Sequence, residues 1–108
     1  MPINNSRLKG FYKLTVEERR QLIAESCNLG PEQTAALAKS GDLNDDAADR
    51  MIENVIGTMS LPVGVATNFI IDKKHYVIPF CLEESSVVAA ASNMAKRCHV
   101  HGGFNSTN

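Results

Sequence analysis

The sequence predicts an α+β (α/β) chain in which helices come first, a β-hairpin follows and an Ala-rich helix closes the pattern. Three observations carry this. Capping signals and helical spacing fill the first half. A run rich in Val, Ile and aromatic residues begins after Pro62. From Ser86 onward, small and apolar residues return to helical spacing.

Thr15 and Glu18 form a capping-box pattern ahead of "EERRQLIAESC", with Leu22, Ile23 and Ser26/Cys27 on one face, so a first helix should end near Asn28 to Gly30. Pro31 suits the first position of a second helix, "PEQTAALAKSG", for which Gly41 is the expected left-handed cap. Asn44 is the expected cap of a third helix in which Ala47, Ala48, Met51, Ile52 and Val55 share a face and Gly57 ends the element. "VGVATNFIID" and "HYVIPFCL" then read as two strands joined by a tip at Asp72, Lys73 and Lys74. Pro79 lacks a backbone donor, which confines its part of the second strand to an edge or a bulge. In the last helix Val87, Ala90, Ala91, Met94, Ala95 and Cys98 fall on one face, whose small residues imply close approach to a neighbour, and Gly102 and Gly103 stop it.

Composition narrows the function classes. At 108 residues the chain is one domain or part of one, short for a complete cofactor-using enzyme. Eleven Lys and Arg against twelve Asp and Glu leave a net charge of -1 with no basic run, which argues against nucleic acid or a lipid surface as partner. Nothing charged occurs between Glu53 and Asp72, but Asn54, Gly57, Pro62, Gly64 and Asn68 interrupt that stretch, so it is expected to be buried in protein rather than to cross a membrane. Three cysteines without a CxxC pair, and an opening "MPINNSRLKG" without an apolar leader, place the chain in a reducing cytoplasm.

Few residues stand out as chemistry. Glu83 and Glu84 lie between the second strand and the last helix. On a strand successive side chains point to opposite faces, so one carboxylate is expected toward a cleft and the other to be structural. The helix N-terminus favours ionisation of the cleft-facing one, while its neighbour and desolvation oppose it; a carboxyl group held near neutrality suits general acid work. The residue types alone favour a plainer outcome, with both groups solvated at the positive end of the helix. Glu53 is expected at the end of an apolar helix, against the negative end of its dipole, where a cation, a subunit contact or a ligand would compensate. Cys98, His99 and His101 are close in sequence, but nothing elsewhere completes a tetrahedral site, so no metal is expected; His75 stands alone. Neither GxGxxG nor GxxxxGK[ST] occurs.

"MIENVIGT", "LPVGVATNF" and "EESSVVAAASNMAK...HGGF" resemble, in this order and spacing, the N-terminal segment of 3-hydroxy-3-methylglutaryl-coenzyme A (HMG-CoA) reductase, most closely class II; the likeness runs from about Arg7 to Phe104. The resemblance implies interconversion of HMG-CoA with mevalonate and CoA through two hydride transfers involving NADH or NADPH. It also implies a large substrate-binding domain, a small dinucleotide-binding domain, and a tight dimer with active sites between subunits. It makes Glu84 the catalytic acid, Ser86 a contact to the HMG moiety, and the ENVIG block, residues 53–57 including Glu53, a part of the substrate site and of the homo-oligomer interface. Ser85 stands where many class II members have Pro, and Tyr12 where one branch has a basic CoA contact, with Lys9 and Lys13 nearby. The family's catalytic lysine, aspartate and histidine motifs, and its dinucleotide domain, have no counterpart in this chain. The expectation is therefore an N-terminal part of the HMG-CoA-binding domain, inactive alone; a short non-catalytic assembly module or an acyl-CoA-binding domain is the alternative.

Overall fold

The computed structural model describes residues 1–39 and 43–107. After a 3-10 turn at Phe11–Lys13 come α1 (Val16–Ser26), α2 (Pro31–Ala38), α3 (Asp45–Asp49), β1 (Val63–Ile71), β2 (Lys74–Cys81) and α4 (Val87–His99). Helices, then an antiparallel hairpin, then a helix is the α+β order the sequence predicts.

Local signals act where they were read. Thr15 Oγ1 accepts from the Glu18 N–H at 3.2 Å, and the Glu18 carboxylate accepts from the Thr15 N–H at 2.7 Å, closing the capping box. Asn28 takes a left-handed φ of 53° just after α1, and the Leu29 N–H returns to the Ala24 carbonyl. Pro31 opens α2, and the Gln33 side chain accepts from the Gly30 N–H at 2.6 Å. Gly41, the expected cap of α2, lies outside the described residues.

The third helix is shorter than expected. Asn44 caps it through the Ala47 N–H, but it stops at Asp49, and Asn54 turns left-handed with φ 57°. Ala48 is buried, whereas Met51 and Ile52 lie exposed and Ile56 is fully exposed at 104%. A helix needs a surface against which to bury its apolar stripe, and among the described residues none covers that of residues 51–56. The uncharged stretch is thus not buried here from its start: Ile56, Met59, Leu61 and Val63 face outward. No described helix is long and apolar enough to cross a membrane.

β1 and β2 pair from Val63↔Cys81 to Ile71↔Lys74. Their turn places Asp72 and Lys73 at φ 49° and 65°, the paired positive values of a two-residue hairpin loop. Pro79 stays in register opposite Val65 on the edge strand, and the bulge lies on β1 instead, where Thr67 and left-handed Asn68 together face Val77. Both sheet edges are covered. Met1 and Ile3 exchange backbone hydrogen bonds with Val77 and His75 along β2. Phe104 donates to the Ile70 carbonyl, accepts from the Asp72 N–H and stacks on Phe69 at 5.6 Å. Gly103, φ 87°, allows this seam, because a Cβ there would lie 2.3 Å from the Ile70 oxygen.

α4 packs on β1 through a face rotated from the expected one. Val87, Val88, Ala91, Ser92, Ala95, Cys98 and His99 are buried or half-buried, so four of the six residues of the expected face are among them, while Ala90 and Met94 are exposed. The bulge is the physical reason: it leaves backbone groups on β1 that need polar partners. The Thr67 N–H donates to Ser92 Oγ at 3.0 Å, Asn68 Nδ2 donates to the Ser92 carbonyl at 3.0 Å, and His99 Nδ1 meets the Asn68 carbonyl at 3.1 Å. These short links are the close approach that the small residues implied.

The chain as a whole is extended. Its radius of gyration is 16.2 Å, against about 13 Å for a compact domain of this length. The strongest packing joins β1, β2 and α4, and α1 and α2 share a smaller seam.

Candidate functional site

The candidate site lies where β2 passes into α4. Residues 82–86 form a loop between Cys81 and Val87, fastened to the entry of β1 by a hydrogen bond from the Leu82 N–H to the Pro62 carbonyl at 3.2 Å. Glu83 and Glu84 lie in this loop and not on the strand, so period-two geometry does not separate them, and both are exposed. The plainer of the two outcomes is the one seen: neither carboxylate is desolvated in a cleft among the described residues, and both stand in solvent at the N-terminal end of a 13-residue helix.

Ser86 distinguishes the Glu84 side of the loop. It occupies the N-cap position of α4 at φ 71°, ψ -16°, and its side chain makes no capping hydrogen bond. A non-glycine residue held left-handed costs on the order of 1–2 kcal/mol, and an N-cap serine ordinarily spends its hydroxyl on the helix. Here the carbonyl holds the first turn, accepting from the Ala90 N–H at 2.8 Å, while the hydroxyl remains available. Such strain at an uncommitted polar group is found where function fixes a side chain's direction.

Glu53 lies beyond the end of α3, so the expected conflict with a helix dipole does not arise, and no hydrogen bond or ion pair joins it to Glu84 or Ser86 among the described residues. Glu84 and Ser86 share the loop of residues 82–86, and Glu53 lies on the exposed run after α3. Tyr12 stands out on the 3-10 turn, with Lys13 Nζ 5.7 Å from its ring centre.

His75, which stands alone in the sequence, does not stand alone in the fold. Its Nδ1 accepts from the Ser6 N–H at 3.3 Å and lies 3.1 Å from Ser6 Oγ, and its ring lies 5.6 Å from that of His99. Ser6 is fully buried and accepts through its carbonyl from the Asn68 N–H. This polar cluster ties the N-terminal segment, the bulge and α4 together. No three His, Cys, Asp or Glu side chains gather as a metal site among the described residues. Burial pushes the Cys27 thiol up, which disfavours the reactive thiolate.

Among the described residues, the paired glycines do not fit a dinucleotide. Gly102 and Gly103 form the paired-glycine turn, but Gly103 is packed against Ile70, and the turn closes a helix where a phosphate loop would open one.

The family model for hydroxymethylglutaryl-coenzyme A reductase matches residues 15–108. An HMG-CoA reductase of Archaeoglobus fulgidus is 57% identical over 100 residues, covering 93% of this chain and 23% of that protein. A probable HMG-CoA reductase of Borreliella burgdorferi is 39% identical over 88 residues, covering 82% of this chain and 20% of its own length. Among solved structures, the class II HMG-CoA reductase of Streptococcus pneumoniae bound to NADPH in open conformations superposes with a TM-score of 0.81 at 38% identity, over 90% of this chain and 26% of that one. The chain thus spans about a quarter of the length of the relatives it matches.

Proposed function

Because the chain belongs to the hydroxymethylglutaryl-coenzyme A reductase family, we propose that it forms the N-terminal part of the substrate-binding domain of a class II enzyme. That enzyme interconverts HMG-CoA with mevalonate and CoA in the cytoplasm. The observation that carries the reading is the Glu84 to Ser86 corner, an exposed carboxyl group next to a left-handed serine with a free hydroxyl.

In this reading Glu84 protonates the oxygen of the thioester carbonyl as that carbon is reduced, and then the carbonyl oxygen of the mevaldehyde that follows release of CoA. Ser86 Oγ holds the HMG moiety, and the helix N-terminus behind it favours the negative charge of a carboxylate substrate. NADH or NADPH supplies the hydrides and is bound by residues outside this chain. The lysine, aspartate and histidine that complete the family's chemistry also lie elsewhere. Glu53 and the ENVIG block belong to a homodimer contact, supported by the exposed apolar run Met51, Ile52, Ile56 and Met59, and dimerisation completes the substrate site beside Glu84.

The experiment is HMG-CoA-dependent oxidation of NADPH or NADH by the complete protein, expected to be robust, alongside the 108 residues alone, expected to give none. Absence of turnover with both cofactors in the complete protein would remove the reductase reading.

A further inference from the structure

His75 and His99 lie with their rings 5.6 Å apart, and their hydrogen-bond partners impose opposite demands on them. We infer that the pair forms a pH-operated clasp, in which neutral His75 holds the N-terminal segment on the outer edge of β2 and protonation of His75 releases it.

A ring nitrogen that accepts a hydrogen bond carries no proton, and one that donates must carry one. His75 Nδ1 accepts from the Ser6 N–H at 3.3 Å, so the ring is neutral with its proton on Nε2. His99 Nδ1 meets the Asn68 carbonyl, which can only accept, at 3.1 Å; this nitrogen donates whether the ring is neutral or charged. A further proton on His99 therefore goes to Nε2 and breaks none of these bonds. A further proton on His75 goes to Nδ1 and sets one N–H against another. The Ser6 hydroxyl, 3.1 Å from Nδ1, can turn and accept, but the backbone N–H cannot. Ser6 is fully buried, so water does not replace the lost acceptor.

Ser6 is also where the segment is fastened. Its carbonyl accepts from the Asn68 N–H at 2.9 Å, at the bulge of β1. Ahead of it, the Ile3 N–H donates to the His75 carbonyl at 3.2 Å, and the Val77 N–H donates to the Met1 carbonyl at 3.1 Å. The Met1 ammonium returns a hydrogen bond to the Val77 carbonyl at 3.0 Å. Release of these residues bares the edge of β2 as an unpaired strand.

The other chargeable groups on the surrounding elements do not supply the switch. On the N-terminal segment, the Met1 ammonium and Arg7 are donors only, so acid breaks no bond of theirs. On α4, Lys96, Arg97 and Cys98 precede His99, and His101 follows it without a ring hydrogen bond among the described residues. On β2, His75 lies between Lys74 and Tyr76, and across the hairpin it faces Ile70. Asp72, at the tip, is bonded to Ser106. Among the described residues no carboxylate bonds to either histidine, so a charge on His75 meets no counter-ion there.

The test is amide hydrogen exchange of the complete protein, resolved by residue and corrected for intrinsic rates, at about pH 8 and about pH 5, values that bracket ordinary histidine titration and lie above that of carboxylates. Protection of the Ile3, Ser6 and Val77 amides should fall at least about tenfold at the lower pH, the effect of one buried donor left without a partner. The Phe104 amide, on the opposite edge of the hairpin, should keep its protection. His99→Asn, whose amide can still donate to the Asn68 carbonyl, should show the same fall. His75→Asn, which does not titrate, should give equal protection at both pH values. Equal protection in the wild type, a fall that persists in His75→Asn, or an equal loss at Phe104 would overturn the clasp. Glu84 and Ser86 take no part in these readings, so the outcome is independent of the reductase reading.

Discussion

Residues 51–62 and the hairpin with α4 are both apolar in sequence, yet they meet opposite fates. In the hairpin unit Ala66 and Val77 are 0% exposed, while Met51, Ile52, Ile56 and Met59 stand in solvent. The hairpin supplies its own partner, since a sheet face can be closed by the helix that follows it in sequence. Among the described residues, nothing closes over the run after α3. The difference teaches that an apolar segment states a demand for burial without saying who meets it; for the hairpin the chain meets it, and for residues 51–62 no described part of the chain does.

The contrast can be broken from either side. The largest effect is expected at the seam of the hairpin unit. Gly103→Ala forces a Cβ into the Ile70 backbone and should destabilise by on the order of 3 kcal/mol in denaturant unfolding, whereas Gly10→Ala, with a similar φ but nothing within 4 Å, should cost about 1 kcal/mol. Equal costs would mean that the Phe104 seam does not form as described. Next comes Val77→Ala in the sealed core, expected to lose about 2 kcal/mol. Its counterpart, Ile56→Ala, should change unfolding by less than about 0.5 kcal/mol while weakening self-association in sedimentation. An Ile56 variant that lowered stability as much as Val77→Ala, without altering association, would assign that run to the chain's own core. Thr15→Ala removes the cap of α1 and should cost about 1 kcal/mol.

The smallest effect concerns pH. The hydroxyl and backbone N–H of Ser106 hold the Asp72 carboxyl below its ordinary value, so docking of the C-terminal segment is favoured where the carboxylate is charged. The contribution is present at and above the usual carboxylate range, about 3.9, and is lost as pH falls through the lower folded value. The Ser106 amide resonance should follow that transition, and Asp72→Asn should abolish it.

Features with local causes were legible in the sequence. The box of Thr15 and Glu18, the start of α2 at Pro31 and the tip at Asp72 and Lys73 depend on residues within a turn of one another, and each forms as read. The length of α3 and the rotation of α4 were not legible, because they depend on whether distant parts of the chain cover residues 51–56 and on a bulge whose backbone calls Ser92 and His99 inward. His75 was misjudged for the same reason: its hydrogen-bonding partner, Ser6, lies 69 residues away. At the site, residue types marked two glutamates without separating them, and the resemblance separated them. The left-handed backbone of Ser86 is the physical feature that neither source supplied, since serine gives no sequence signal for positive φ.

The central claim is that Glu84 is the acid and Glu83 is not, although both are exposed in one loop. Measuring turnover and HMG-CoA binding of Glu84→Gln and Glu83→Gln in the complete protein tests it most directly. Turnover should fall by about a hundredfold or more in Glu84→Gln with binding retained, and stay close to wild type in Glu83→Gln. Near-normal turnover in Glu84→Gln, or an equal loss in both variants, would contradict it.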